Sequence, residues 1–191
     1  TYNRLPTRAE ASDVANAIYD RTSAVMLSGE CAMGEYPVEC VKTMVKIANR
    51  VEPEIDYWKR FKTNDNIDLT ALEEKIAYST CVMAMNMNAD AIVCYTHTGD
   101  SARRISGLGP QCPIIAITDN RRTFNQLGLA WNVTPIYMEK QENIDKTVEA
   151  GIKKATEKGI LEKGDMIVIS GGAKMLAGAE DSKIIGGIAQ I

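Results

Sequence analysis

A chain of 191 residues, 45% hydrophobic and 25% charged, can form one core plus an appendage and has the make-up of a globular protein. Its net charge of −3 argues against a nucleic-acid partner, because such domains carry a basic excess that displaces counterions from phosphates. No apolar run approaches the ~20 residues that cross a bilayer, and residues 1–8 are polar, without the apolar centre of a signal peptide.

Residues 8–20 place Ala11, Val14, Ala15 and Ile18 at helical spacing. Thr7 and Glu10 form a Thr-x-x-Glu capping box in front of them, satisfying the orphan N–H groups of the first turn. Residues 24–27, Ala-Val-Met-Leu, read as a short buried strand. Residues 38–51 are helical again, with Val41, Met44, Val45 and Ala48 on one face. Residues 1–52 thus read helix, strand, helix, too little to close a core, and they look like a piece of a larger α/β structure. Residues 53–68, with Pro53 and a Thr-Asn-Asp-Asn tract, show no sustained period and read as a linker.

From residue 69 to about 87 the pattern predicts a long helix. Strands at 91–95, 113–118, 133–138, 166–170 and 184–191 then alternate with helices at 101–108, 121–130 and 144–158. Alternation of this kind means crossover connections and a largely parallel sheet covered on both faces. Residues 69–191 are therefore expected to form a small three-layer α/β domain with a mostly parallel five-stranded sheet.

The five cysteines are Cys31, Cys40, Cys81, Cys94 and Cys112, with no two-residue gap between any pair. They read as small buried hydrophobes in a reducing cytosol, which places the chain in the cytoplasm. His97 is the one histidine, and without a close cysteine pair it makes a poor start for a transition-metal site. It reads as a polar loop residue. Met83, Met85 and Met87 read as packing, and Trp58 and Trp131 as packing anchors.

Three turns follow strands, where ligands meet parallel sheets. In Ser28-Gly29-Glu30 a hydroxyl and a carboxylate could orient a substrate, or Gly29 simply serves a tight turn. Thr96-His97-Thr98-Gly99-Asp100-Ser101 opens a helix, where outward N–H groups and hydroxyls suit an anion. Its other reading is a cap supplied by Asp100 or Thr98. The like charge of Asp100 opposes a phosphate, and Arg103 and Arg104 one turn later could offset it. Gly171-Gly172-Ala173-Lys174 could cradle phosphate but lacks the full P-loop pattern, and as a weak motif it reads sooner as a surface loop.

The blocks Pro6-Thr7-Arg8-Ala9-Glu10, Ser12-Asp13-Val14-Ala15-Asn16-Ala17, Met26-Leu27-Ser28-Gly29-Glu30 and Gly34-Glu35-Tyr36-Pro37, in this order and spacing, closely resemble pyruvate kinases. The remainder resembles the C-terminal domain of that family, most clearly at 96–101, 113–118 and Lys163-Gly164-Asp165. The resemblance implies the C-terminal part of a glycolytic phosphotransferase. Residues 1–52 would be the last piece of a (β/α)8 barrel, and 69–191 the regulatory domain. The parent would transfer phosphoryl from phosphoenolpyruvate to ADP, giving pyruvate and ATP, with Mg2+ or Mn2+ and K+. Ser28 would stand at the catalytic face and help relay the proton to the enolate. Arg8 and Glu10 would lie near a subunit interface of a homotetramer.

The family's catalytic lysine, metal-binding carboxylates and potassium site all precede this segment, so no metal is expected on these residues and no turnover from them alone. In the regulatory domain, Thr96, Thr98, Gly99 and Ser101 match the family's phosphate loop, with Gly172 and Lys174 from a closing loop. Thr147 falls near the place of a phosphate-binding arginine, and Lys140 near that of a tryptophan. Ala177, Ala179 and Glu180 replace a run of small hydroxylated residues. One phosphate pocket is implied rather than two, hence a monophosphate effector such as AMP or a sugar monophosphate. The competing reading is a freestanding phosphometabolite-binding α/β module.

Overall fold

The computed structural model describes residue 3, residues 5–65 and 67–170, and the backbone of 186–190. The chain divides into two compact units, Thr1–Asp56 and Tyr57–Ile191.

In the first unit, α1 (Arg8–Tyr19) starts on the expected capping box. The Thr7 backbone N–H donates to Glu10 Oε2 at 2.7 Å, and the Glu10 N–H donates to Thr7 Oγ1 at 3.3 Å. Helix α2 (Gly29–Ala32) is one turn long. Helix α3 (Pro37–Val51) carries proline at its start, where a missing N–H costs nothing, and packs on α1. Gly34 is required between α2 and α3, because a Cβ there would sit 2.2 Å from the Glu30 carbonyl oxygen.

The strand expected at 24–27 does not form. A strand exists only by pairing its N–H and C=O groups laterally, and no described residue of this unit is in a strand. Ala24, Val25 and Met26 are exposed, Met26 by 86%. The face of α3 expected to be buried is open as well, with Val41 and Val45 exposed.

The segment expected as a linker also differs. A 3-10 turn at Glu52–Glu54 leads into helix α4 (Tyr57–Lys62), and α4 belongs to the second unit. Tyr57 and Phe61 are buried. Phe61 stacks on Tyr78 at 5.2 Å, Tyr57 meets Trp131 at 5.2 Å and Trp58 meets Phe61 edge-on at 6.0 Å, so both tryptophans anchor packing as expected. Six residues are too few to show a helical period, and the aromatic contacts hold α4 in place.

The second unit is the α/β domain. Helix α5 (Leu72–Met87) ends on Asn88 in the left-handed conformation, φ 49°, a common helix stop. Then come β1 (Ala91–Tyr95), α6 (Asp100–Leu108), β2 (Ile114–Thr118), α7 (Arg121–Leu127), β3 (Val133–Tyr137), α8 (Ile144–Glu157), β4 (Met166–Ser170) and β5 (Gly186–Gln190). The sheet order is β3-β2-β1-β4-β5. The first four are parallel, and β5 lies antiparallel on β4 at the edge.

Alternation along the strands separates two apolar layers. Ile92, Cys94, Ile114, Ala116 and Val168 face α5 and α6, meeting Ala77, Cys81, Ala84, Ala102 and Ile105. Ala91, Val93, Ile115, Ile117 and Ile167 face α8, meeting Val148 and Ala155. Strands covered on both faces read as near-continuous apolar runs, and β1 and β2 do up to Tyr95 and Thr118 at their ends. Cys81, Cys94 and Cys112 are buried as expected, but Cys31 is exposed and Cys40 intermediate, because their unit has little interior. Among the described residues no helix is long and apolar enough to cross a membrane.

Candidate functional site

The chain leaves β1 toward β2 and β3 on one side and returns to β4 on the other. The strand order therefore reverses at β1, and such a switch point opens a crevice at the carboxyl ends of the strands. The turn 96–101 leaves β1 at this place.

Its conformation follows from two residues. Thr96 is 5% exposed, and its hydroxyl oxygen accepts the Gly99 N–H at 2.9 Å. Gly99 sits at φ +89°, a region that residues with a Cβ rarely enter. A Cβ there would also lie 2.7 Å from the Arg103 guanidinium. Gly99 is the N-cap of α6 and has no side chain to offer, and the Thr98 hydroxyl accepts the N–H of Asp100, the first residue of the helix, at 3.4 Å, in keeping with the capping alternative for Thr98. The Thr98 hydroxyl also donates to Asp100 Oδ2 at 3.0 Å.

Arg103 bends back over the turn. It donates to the Thr98 carbonyl at 2.6 Å and pairs with Asp100 at 3.5 Å, giving the offset to the aspartate charge that the sequence suggested. Arg104 does not share in this, because it is paired with Glu74 on α5. The charge at the turn therefore comes from Arg103.

His97, Asp119, Tyr95 and Thr123 form a second cluster beside the first. His97 Nδ1 lies 2.6 Å from Asp119 Oδ1, and the Thr123 hydroxyl donates to the His97 carbonyl at 2.7 Å. Tyr95 lies within electrostatic reach of the Asp119 carboxylate. Burial by itself would raise the Asp119 carboxyl, but the hydrogen bond from His97, the neighbouring Tyr95 and the His97 charge outweigh it and hold the group below its ordinary range. Tyr95 is pushed up to about 12, by burial first and then by the neighbouring carboxylate. Asp119, Tyr95 and Thr123 were not singled out in the sequence. The available signal was positional: Asp119 follows β2 as Thr96 follows β1, and the parallel register, with Tyr95 opposite Ile117, carries position 97 to position 119.

Of the other expected site residues, Ser28, Arg8 and Glu10 belong to the first unit. Ser28 begins the one-turn α2, and its N–H donates to Glu30 Oε2 at 2.9 Å. Glu10 is engaged by Thr7 of its own chain, and Arg8 is the exposed first residue of α1. Thr147, buried in α8, donates to the Asn143 carbonyl at 2.9 Å and accepts the Gln141 N–H at 3.2 Å, so its hydroxyl is committed to local backbone. Gly172 and Lys174 lie outside the described residues. The first unit holds a cleft of about 310 Å³ lined in part by Glu10, Leu27, Glu30 and Met44. Among the described residues no group of three or more metal-ligating side chains comes together.

Comparison with known proteins finds relatives along nearly the whole chain. Residues 74–184 match the family model described as the pyruvate kinase alpha/beta domain, and residues 1–41 match that of the pyruvate kinase barrel domain. A pyruvate kinase of Clostridium acetobutylicum is 42% identical over 170 residues, covering 89% of this chain and 36% of the relative. One of Staphylococcus epidermidis is 44% identical over 170 residues, covering 89% of this chain and 29% of the relative. The crystal structure of a pyruvate kinase from Cryptosporidium parvum superposes with a TM-score of 0.88 at 30% identity, covering 99% of this chain and 37% of that one. The chain spans about a third of the length of the relatives it matches.

Proposed function

The chain belongs to the pyruvate kinase family, as its C-terminal part, and from that premise we propose that it supplies the effector-binding and assembly functions of a full-length pyruvate kinase. The parent enzyme transfers the phosphoryl group of phosphoenolpyruvate to ADP. Such a transfer depends on positioning and on neutralising charge over the phosphoryl oxygens, the work of the divalent metal and potassium in the parent. Ser28 helps deliver the proton to the enolate left behind, and α1, through Arg8 and Glu10, contributes to contacts between subunits of a homotetramer. The 191 residues alone do not turn over substrate. Kinase activity of the purified chain in a coupled assay, above that of a host-extract control, would refute this.

The observation that carries the effector reading is the turn 96–101 at the switch point of the sheet, with Gly99 in the left-handed region and Arg103 folded over it. First-turn N–H groups of a helix carry positive partial charge and attract phosphate. Thr98 and Ser101 add hydroxyls, Gly99 lets a phosphate oxygen approach the backbone, and Arg103 supplies a full charge. Thr96 acts differently from the other expected ligands, because its hydroxyl shapes the turn. A second phosphate finds no such provision at Thr147, and Asp100 and Asp119 disfavour added negative charge, which supports a monophosphate effector.

Calorimetric titration with AMP, ribose 5-phosphate and fructose 1,6-bisphosphate, with sulfate as anion control, tests this. Saturable binding of a monophosphate, lost in the Thr98→Ala, Ser101→Ala double variant, is the expected result. Absence of binding by all three sugar phosphates would remove the effector role from these residues.

A further inference from the structure

We draw no further inference here: the strongest candidate, the exposed apolar stripe of Val38, Val41 and Val45 along α3 of the first unit, is an unpartnered helix face, and nothing in the structure shows what covers it.

Discussion

Gly151 of α8 lies so close to Ile117 of β2 that a Cβ on the glycine would fall 2.4 Å from Ile117 Cδ1 and 2.7 Å from its Cγ1. The helix reaches the sheet at this point because nothing projects from residue 151. Alanine favours helix over glycine by about 1 kcal/mol in an exposed position, but here the added methyl must displace a branched side chain that is fully buried. Gly151→Ala is expected to destabilise the second unit by about 1–3 kcal/mol, the usual cost of overpacking. Urea denaturation followed by tryptophan fluorescence checks this, and an unchanged midpoint would mean that α8 stands farther off the sheet.

Phe61 makes the same argument for α4. It is 3% exposed and packs among Ala77, Cys81 and Tyr78, although the surrounding sequence looks like a linker. Phe61→Ala is expected to cost about 3–5 kcal/mol, the range for a buried aromatic. A tether that carried no packing would lose almost nothing in the same denaturation measurement.

The cysteines should divide by reactivity. Burial pushes the Cys94 thiol up to about 12 and the Cys112 thiol up to about 11, and Cys81 is fully buried. Thiolate is the reactive form, so these three should resist iodoacetamide at pH 8 until the chain is unfolded. Cys31, which is exposed, should be alkylated first. Peptide mass mapping after a time course of labelling reads the order.

Acid should weaken the domain through Asp119. Its carboxyl is held below the ordinary aspartate range in the folded chain, so its contribution is present above the unfolded value near ~3.9 and is lost as pH falls through the folded value. Between pH 5 and pH 3 the wild-type melting temperature should drop more steeply than that of Asp119→Asn, which has no carboxyl to protonate at that position. Parallel curves would mean that the links to His97 and Tyr95 do not favour the charged form.

Much of the molecule was legible in the sequence because its signals are local. Continuous apolar runs such as Ile114 to Ile117 suit only a strand covered on both faces, so the parallel sheet and its covering helices could be read directly. The Thr7 and Glu10 capping box joins residues three apart, and its geometry is set by one turn of helix. The block from Pro6 to Pro37 carried the family, since order and spacing survive in the sequence whatever the tertiary structure does.

Other features depend on groups far apart in the chain. Residues 24–27 have the composition of a buried strand, but a strand requires a neighbour to pair with, and none is described in the first unit. Helix α4 is fixed by rings from Tyr78 and Trp131, which no window around residue 60 contains. The clamp on His97 joins residues 22 apart in sequence, and the register of β1 on β2 brings them together. Propensity and periodicity act over a few residues, and they determined the elements. Which carboxylate meets which imidazole was decided by strand order and register, and these are properties of the folded sheet.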